Sequence, residues 1–466
     1  MTPHLVVLGG GAAGLAAARA ALARQARPLL VTEGPPGGDC TFTGCVPSKS
    51  LIEAAERGAT YPAAIRRARE VVAQIAATED ERALTAAGIE VLRGRATFVS
   101  HGRIEVAAAD GAAVRTISAK RVVVATGSRP RVPPIPGLAD LNYLTNETVF
   151  ELDALPREVA VLGGGAVGCE LAQAFARFGA EVTVIEAAKR LLPGEATEAS
   201  RVVTERFAAE GIGVRTGATV RSVRSVDGGA RLELADGDAV TAQRVLVATG
   251  REPVTAGLGL ATAGVATDER GAIRTDAHLA TTRRGVYAAG DVTGGPALTH
   301  AAYLMGRIAA ENALGRRRQA RFSAAAVPRV VFTSPEVAQV GLTEAGAVRR
   351  HPRARVAHLP LSEVDRAVTA GRTDGFVTIV AGRRRVTGHL GGGRVLGATV
   401  VGERAGEVIH ELALAVRTGM FTGRLAQTTH AYPTYALAVQ QAAAQFVTEH
   451  GGRRARPIQD RGPSPG

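Results

Sequence analysis

A glycine-rich turn between an apolar strand and an alanine-rich helix occurs twice in this chain, and no other feature restricts its fold as strongly. The first turn follows residues 5–8 and the second follows residues 159–162. In both turns, glycines stand at the first, third and sixth positions: Gly9, Gly11 and Gly14, and again Gly163, Gly165 and Gly168. This strand–turn–helix pattern is typical of a Rossmann-type unit that binds a dinucleotide. The sequence therefore predicts an α/β fold with two such units.

Each glycine of the turn has a physical task. The first makes the tight turn, the third lets the backbone approach a pyrophosphate, and the sixth lets the helix pack against the strand. A second strand follows each helix and ends at an acid, Glu33 in the first unit and Glu186 in the second. Glu33 lies 22 residues after Gly11, where the acid of such a unit contacts a ribose hydroxyl. Strand, turn, helix and acid together predict a dinucleotide site more specifically than the glycines alone.

A short motif downstream of each unit is also repeated. Residues 122–130 read Val-Val-Val-Ala-Thr-Gly-Ser-Arg-Pro, and residues 245–253 read Val-Leu-Val-Ala-Thr-Gly-Arg-Glu-Pro. One dinucleotide domain with a coincidental glycine loop elsewhere would not explain these paired motifs. We therefore expect two related domains, with Thr126 and Gly127 at one dinucleotide site and Gly250 at the other.

The remaining motifs indicate which dinucleotide each unit binds. An apolar strand at 285–289 ends in Gly290 and Asp291, and an acid there can bind a polyol chain such as the ribitol of FAD, which NAD lacks. We therefore assign FAD to the first unit and NAD to the second. Glu186 suits a free 2′-hydroxyl and would repel a 2′-phosphate, which favours NADH over NADPH. Lys189 and Arg190 are close enough in sequence to weaken this preference.

Two cysteines, Cys40 and Cys45, lie between the first unit and its downstream motif, in the sequence Gly-Gly-Asp-Cys-Thr-Phe-Thr-Gly-Cys-Val-Pro-Ser-Lys. The glycines would let Cys40 occupy an irregular turn while Cys45 opens a helix with Pro47 in its first turn. A helix N-terminus lowers the pKa of a thiol. The alternatives are two buried cysteines or half of a metal site, but C-x4-C is not the zinc spacing. We favour a redox-active disulfide and expect no metal site.

With these motifs in this order, the chain resembles the flavin-dependent pyridine nucleotide-disulfide oxidoreductases, the class of glutathione reductase, dihydrolipoamide dehydrogenase and mercuric reductase. The resemblance runs from residue 4 to about 448. It implies two Rossmann-type three-layer domains, for FAD and NAD, and a C-terminal α+β dimerisation domain in a homodimer. It also implies that electrons pass from NAD(P)H to the flavin, then to Cys40–Cys45 and on to an acceptor. Cys45 would be the charge-transfer thiol beside the flavin, and Cys40 the interchange thiol.

The resemblance assigns four further residues to the flavin site. Lys49, one of only three lysines in the chain, would lie near flavin N5 and pair with Glu170, because a cation near N5 favours the reduced, anionic flavin. Thr299 and His300, at the predicted start of a helix, would present amides to the flavin O2 edge. Taken alone, His300 is interpreted as structural more readily than as a proton carrier.

The C-terminal region departs from the pattern of the members that reduce disulfides. Those members carry His-Pro, with a Glu four residues beyond the Pro, and the His handles the proton of thiol exchange. Here Tyr432 stands in the position of the His and Leu437 in that of the Glu. A phenol with a pKa near ~10 is a poor base at neutral pH. His430 is a possible substitute, although in an extended segment it would sit ~6–7 Å from Tyr432.

Mercuric reductase also has a Tyr at this position, so the resemblance is strongest to that branch. That enzyme, however, delivers mercury through a C-terminal cysteine pair, and this chain has no cysteine after Cys169. We therefore expect an NAD(P)H-dependent reductase whose acceptor is a metal ion, a quinone or an unusual disulfide. The alternatives are a true disulfide reductase of the dihydrolipoamide dehydrogenase type and a flavoprotein with a mainly binding or regulatory role.

The motifs also predict domain boundaries. We expect FAD binding at 1–150, NAD binding at 151–275, a central segment that completes the FAD domain at 276–325, dimerisation at 326–450, and a disordered tail at 451–466. Within the dimerisation domain, strands are predicted at 375–380 and 395–401 and a helix at 405–417.

Composition limits the possible partners and location. The net charge is +13, but 53 of the 56 basic residues are arginine and aromatics are only 4% of the chain. These values indicate a composition bias, and with few rings to stack on bases we expect no specific nucleic-acid partner. No apolar run approaches the ~18 residues of a membrane span. The three cysteines and the absence of an export signal predict a cytoplasmic protein without a membrane partner.

Overall fold

The computed structural model describes residues 3–108, 114–315, 320–383, 386 and 388–458. Its helices, in chain order, are α1 Ala12–Ala23, α2 Gly38–Phe42, α3 Cys45–Glu56, α4 Tyr61–Ala76, α5 Glu81–Ala86, α6 Ala166–Arg177, α7 Thr197–Ala209, α8 Leu260–Ala263, α9 Thr299–Leu314, α10 Glu344–Arg350, α11 Asp365–Ala370, α12 Ala405–Thr418, α13 Thr422–Gln427 and α14 Leu437–Ala444. None of the helices in the described ranges is both long and apolar enough to cross a membrane.

The strands, in chain order, are β1 Leu5–Leu8, β2 Pro28–Thr32, β3 Glu90–Arg93, β4 Arg95–Ser100, β5 Arg103–Ala107, β6 Val114–Ser118, β7 Val122–Val124, β8 Ser128–Pro130, β9 Glu158–Leu162, β10 Glu181–Glu186, β11 Gly213–Thr216, β12 Val220–Val226, β13 Gly229–Leu234, β14 Ala239–Ala242, β15 Arg244–Val247, β16 Arg251–Pro253, β17 Val286–Ala288, β18 Arg329–Val331, β19 Glu336–Gly341, β20 Arg355–Pro360, β21 Phe376–Gly382, β22 Arg394–Gly402 and β23 Arg456–Pro457. The chain forms two compact units. The first consists of Met1–Pro133, Leu144–Leu155 and Val247–Ser323, and the second consists of Pro134–Tyr143, Pro156–Leu246 and Ala324–Gly466.

The first unit is built on a five-stranded sheet in the order β17-β7-β1-β2-β3, whose neighbouring strands are parallel. Strand β1 is completely buried, and its alternate residues face opposite sides. Leu5 and Val7 join a core cluster with helices α1 and α9, whereas Val6 and Leu8 join a second cluster with the antiparallel sheet β4-β5-β6. The unit therefore has three layers, as predicted, because an apolar strand buried on both faces needs a covering layer on each side.

The second unit contains a parallel sheet in the order β11-β10-β9-β15 and an antiparallel sheet β12-β13-β14. It also contains a six-stranded sheet in the order β18-β19-β22-β21-β20-β23. Residues of α12 and α14 pack with this sheet in one core cluster, which includes Ile409, Leu412 and Val439. This antiparallel sheet with helices confirms the predicted α+β architecture of the C-terminal region.

The domain boundaries predicted from the sequence remain predictions, because the division into two units is coarser. Residues 247–275, expected in the NAD domain, cluster with the first unit. In the stretch predicted as a tail, β23 pairs with β20 through Arg456 and Val356, and residues 459–466 lie outside the described ranges.

Candidate active site: two glycine turns and a cysteine pair

The sixth glycine of each turn is required by packing within the protein. A Cβ on Gly14 would lie 1.8 Å from the carbonyl oxygen of Gly9, and a Cβ on Gly168 would lie 1.9 Å from that of Gly163. Gly9 and Gly163 have φ angles of +113° and +107°, which favour glycine. These four residues therefore fix the tight turn and the close approach of helix to strand.

The third glycine of each turn has a different reason to be glycine. Gly11 and Gly165 cap α1 and α6 with φ angles of −80° and −77°, which any residue adopts. No described heavy atom lies within 4 Å of the position that a Cβ would take on either residue. Neither backbone conformation nor internal packing demands glycine here, whereas a pyrophosphate seated at the helix N-terminus does. Both turns thus fit a dinucleotide.

The two acids that follow these turns are held differently. The carboxylate of Glu186 accepts hydrogen bonds from the N–H groups of Gly164 and Ala188, both at 2.6 Å, so it is fixed at the second glycine turn. Glu33 is exposed, and its carboxylate lies 3.4 Å from the guanidinium of Arg95. Only the acid of the second unit is therefore held by the turn itself.

Arg190, expected to weaken the preference for NADH, is directed to the backbone of its own loop. Its guanidinium donates to the carbonyl oxygens of Leu192, Pro193 and Glu195 at 3.1, 2.8 and 2.9 Å. The neighbouring Lys189 is exposed. The guanidinium group of Arg190 is therefore occupied by three carbonyl oxygens of its own loop. Glu186 is the charged group that is hydrogen-bonded to the glycine turn.

Five more of the residues predicted around the flavin and NAD lie shortly after the strands β7, β15 and β17. Gly290 has a φ of +80° and precedes Asp291, whose carboxylate accepts a 2.6 Å hydrogen bond from the hydroxyl of Ser128. The hydroxyl of Thr126 donates to the carbonyl oxygen of Val254 at 2.7 Å. Two further predicted glycines have left-handed φ angles of +73° and +117°, Gly127 and Gly250.

The two cysteines lie on consecutive helices, the short α2 and the longer α3. Cys45 opens α3 and Pro47 lies in its first turn, as predicted. The expectation of an irregular turn around Cys40 was wrong, because this residue lies inside the short helix α2. Gly37 and Gly38, with φ angles of +115° and +62°, redirect the chain immediately before Cys40 and allow this helical turn to form.

Thr299, at the start of α9, brings a hydroxyl group to both sulfur atoms. It donates to Cys40 Sγ at 3.2 Å and lies 3.3 Å from Cys45 Sγ. The pKa of Cys40 is raised well above its ordinary value, first by the hydrogen bond to Cys45 and then by burial. Cys45 is exposed at the N-terminus of α3, a position that favours the thiolate form of a cysteine. His300 follows Thr299 and is exposed.

Lys49 and Glu170 lie in different units of the chain. Lys49 lies four residues after Cys45 in α3 and thus on the same helical face. Glu170, buried in α6, accepts a 2.9 Å hydrogen bond from the N–H of Phe332. Their predicted pairing remains a prediction. Three residues further along α6, Gln173 exchanges two hydrogen bonds with the backbone of Ser334, at 2.7 and 2.8 Å.

Tyr432 and His430 have separate partners in the second unit. The phenol of Tyr432 donates to Asp365 at 2.9 Å, and this hydrogen bond and the charge of the carboxylate raise the pKa of Tyr432. His430 is almost buried, with Nδ1 2.9 Å from the carbonyl oxygen of Thr428 and Nε2 2.9 Å from the carboxylate of Glu411. Both imidazole nitrogens of His430 therefore lie against oxygen atoms of other groups of the protein.

Sequence reasoning missed a polar cluster beside the cysteine pair. Arg251 contacts Ser128, Asn146 and Asp39, the residue that precedes Cys40. The available signal was the repeated motif, in which Arg251 stands where the first copy has Ser128. Strands β8 and β16, which contain these two positions, pair antiparallel.

Comparison with known proteins places this geometry in a family. The model of the pyridine nucleotide-disulphide oxidoreductases matches residues 3–306, and that of their dimerisation domain matches residues 327–443. The chain belongs to this family. Among its relatives, a mercuric reductase of Streptomyces lividans is 38% identical, with 96% of both chains covered. A dihydrolipoyl dehydrogenase of Chlamydia pneumoniae is 35% identical, covering 92% of this chain and 94% of the relative.

Solved structures agree with this assignment. The HOCl-induced flavoprotein disulfide reductase RclA of Escherichia coli, in its Cu(II) complex, superposes with a TM-score of 0.87 at 27% identity. LpdA of Mycobacterium tuberculosis superposes with a TM-score of 0.87 at 31% identity. Each superposition covers 95% of this chain and 99% of the other. The resemblance, the fold class and the class of enzyme are thereby confirmed: the chain is a flavin-dependent oxidoreductase whose family uses FAD and NAD(P).

Proposed function

We propose that the chain is an NADH oxidoreductase that passes electrons through FAD to the Cys40–Cys45 pair and from there to an acceptor other than lipoamide or glutathione disulfide. The observation that carries this proposal is the single hydroxyl of Thr299 within 3.3 Å of both sulfur atoms, which brings the two thiols of separate helices together. Two cysteines five residues apart and linked in this way form a dithiol that can close to a disulfide.

The residues present fit both cofactors. FAD, when bound, would accept a hydride from NADH and supply two electrons to the disulfide. We assign to FAD the first glycine turn and the polar groups around it: Gly9, Gly11, Gly14, Glu33, Lys49, Thr126, Gly127, Gly290, Asp291, Thr299 and His300. We assign to NAD the second turn, with Gly163, Gly165, Gly168, Glu186 and Gly250.

The roles of the two thiols follow from their surroundings. Two electrons and one proton open the disulfide to a Cys40 thiol and a Cys45 thiolate, and an acceptor that takes two electrons closes it again and releases the proton. The raised pKa of Cys40 supports its role as the protonated, interchange thiol. Cys45 at the N-terminus of α3 is suited to the thiolate beside the flavin. Lys49, on the same face of α3, would favour the negatively charged state of this centre.

Tyr432 and His430, the two candidate bases of the C-terminal segment, are poorly suited to the reduction of an external disulfide. Reduction of an external disulfide needs a group that moves a proton near neutral pH, and such a group contributes ~10²–10⁴-fold. The hydrogen bond to Asp365 raises the pKa of the Tyr432 phenol, so less phenolate is available to accept a proton near neutral pH. Both nitrogens of His430 face other partners. A metal ion or a quinone, which the thiols can reduce without such a base, fits better. An unusual disulfide is the third candidate.

Two finer features belong to the same proposal. The held carboxylate of Glu186 and the occupied fork of Arg190 support NADH over NADPH. The match of residues 327–443 to a dimerisation domain supports a homodimer. A dihydrolipoamide dehydrogenase activity is the second candidate function, favoured by the relatives of that name that cover most of the chain.

Steady-state NADH oxidation with a panel of acceptors tests this function. The rate should be measured for wild type, Cys40→Ser and Cys169→Ser with each of five acceptors: mercuric ion, Cu(II), a quinone, lipoamide and glutathione disulfide. Cys169 is the matched control because it is buried in α6 and its Sγ donates to the carbonyl oxygen of Gly164. We expect turnover with a metal ion or the quinone that Cys40→Ser abolishes and Cys169→Ser preserves. Efficient lipoamide turnover would favour the second candidate, and turnover unchanged by Cys40→Ser would refute a role for the pair.

A further inference from the structure

The guanidinium group of Arg251 lies at the centre of the polar cluster beside the cysteine pair. Its Nε donates to Ser128 Oγ at 2.7 Å and its Nη2 to the carbonyl oxygen of Ser128 at 2.8 Å. Its Nη1 donates to Asn146 Oδ1 at 3.3 Å, and Nη2 also forms an ion pair with Asp39. The side chain is only 23% exposed. Its Nε also lies 3.9 Å from the carboxylate of Asp291. A half-buried guanidinium with four partners is held in one orientation, because these contacts involve all three of its nitrogens.

Asp39 is the residue through which this cluster reaches the cysteines. It lies directly before Cys40, and its Oδ1 accepts from the hydroxyl of Thr43 and, at 3.3 Å, from the amide of Asn146. Asn146 also donates to the carbonyl oxygen of Thr43 at 3.3 Å. Residues 39–44 run from within α2 to the start of α3, and we call this segment the 39–44 turn. It is thus held at its first residue and near its last.

The turn has little room to shift independently of Asp39. A Cβ on Gly44 would lie 2.8 Å from the carbonyl oxygen of Asp39 and 3.2 Å from the Cα of Cys40. Gly44 directly precedes Cys45 and caps α3. A displacement of Asp39 would therefore be transmitted to both cysteines through backbone contacts.

We propose that Arg251 is a positioning residue for the redox pair: by holding Asp39, it fixes the turn that sets how closely Cys40 Sγ and Cys45 Sγ approach. This inference rests on the proposed function, in which that pair is the redox centre. Ser128, which receives two of the hydrogen bonds from Arg251, donates in turn to Asp291, the acid assigned to the ribityl chain of FAD. One guanidinium therefore connects the predicted flavin site with the turn that carries the interchange thiol.

The proposal predicts a change in the stability of the disulfide. Closing a disulfide depends on how closely the protein holds its two thiols, so a looser turn makes the disulfide easier to reduce. Arg251→Lys should lower the equilibrium constant for disulfide formation about tenfold, which is about 1.4 kcal/mol and raises the midpoint potential by ~30 mV. Lys keeps the charge but cannot reproduce the fork.

The test equilibrates the holoprotein with glutathione redox buffers and counts alkylated Cys40 and Cys45 by mass spectrometry. Arg251→Lys and Asp39→Asn should each shift the midpoint, and the double variant should shift it no further, because both changes remove the same contact. Arg129→Lys is the matched control: Arg129 lies on the paired strand β8, 60% exposed, and forms a 2.7 Å ion pair with Glu252. Its midpoint should equal that of wild type.

Two outcomes would overturn the proposal. One is a wild-type midpoint in both Arg251→Lys and Asp39→Asn, and the other is an equal shift in Arg129→Lys. Asp39→Asn keeps Arg251 in place and so provides a measurement even if Arg251→Lys folds poorly. The buffers exchange directly with the thiols, so the midpoint reports on the turn whatever the electron donor. Failure of NADH to reduce the wild-type pair would contradict the proposed function and leave this measurement intact.

Discussion

Replacing the carboxylate of Glu186 tests the proposal that the second glycine turn binds the nicotinamide dinucleotide and favours NADH over NADPH. The carboxylate is fixed at the turn by the N–H groups of Gly164 and Ala188, both at 2.6 Å. Glu186→Gln keeps the length of the side chain and one acceptor oxygen but removes the charge. Since Arg190 donates to three carbonyl oxygens of its own loop, no neighbouring change is needed to expose the effect.

Two contributions to binding set the expected magnitude. A hydrogen bond from a ribose hydroxyl to a charged acceptor is worth ~1.5–3 kcal/mol, so its weakening should lower kcat/KM for NADH roughly 10-fold or more. Removing the charge also removes its repulsion of the 2′-phosphate of NADPH, which is about 4 kcal/mol per unit charge at ~4 Å for an effective dielectric constant of ~20. Screening by water and salt reduces this value. The ratio of the two specificity constants should therefore change by about 100-fold.

The assay measures kcat/KM for NADH and NADPH with one fixed acceptor in wild type, Glu186→Gln and Glu33→Gln. Glu33 is the matched control because it ends the equivalent strand of the first unit and lies 3.4 Å from Arg95. Its replacement should leave the ratio unchanged. A wild-type preference for NADPH, or a ratio that Glu186→Gln leaves unaltered, would refute the reasoning.

Three further predictions concern the flavin site and the C-terminal segment. Two-electron reduction of wild type should give a long-wavelength absorption band from thiolate-to-flavin charge transfer, measured by spectrophotometry. Cys45→Ser should abolish this band. Gly11→Ala should lower the bound FAD per chain but leave thermal unfolding of the apoprotein unchanged. Gly14→Ala should lower the melting temperature, because its Cβ would lie 1.8 Å from a carbonyl oxygen; equal melting temperatures would contradict this distinction. Tyr432→His with Leu437→Glu should raise lipoamide reduction by ~10²–10⁴-fold over wild type, with Tyr432→Phe as the control; an unchanged rate would show that the proton carrier lies elsewhere.

Local sequence patterns predicted the elements that frame the site. The apolar strand expected at 5–8 is β1 without a change of bounds, and the strand expected to lead to Glu33 is β2, which ends at Thr32. The helix expected at 405–417 is α12, Ala405–Thr418. These elements are predictable because apolar runs and glycine turns lie within a few residues of each other and need no knowledge of the tertiary contacts.

The side-chain partners around the site were not predictable in this way. Arg251 and Asp39 are 212 residues apart in sequence. Asp365 and Tyr432 are 67 residues apart, and Glu411 and His430 are 19 residues apart. An arginine in a chain with 56 basic residues gives no sign of its partner. Such contacts depend on how the strands and helices pack. The sequence pattern predicts that these elements pack together, but it does not specify which side chains come into contact.

The hydrogen bonds of Glu170 and Gln173 have a consequence for backbone exchange with solvent. These two side chains of α6 accept hydrogen bonds from the N–H groups of Phe332 and Ser334. Both residues lie between β18 and β19, outside any strand. Both acceptors are buried. In hydrogen–deuterium exchange, these two amides should therefore be protected as strongly as those of a helix. These two amides should exchange when α6 opens, so that the segment between β18 and β19 reports on the stability of the unit that contains the second glycine turn.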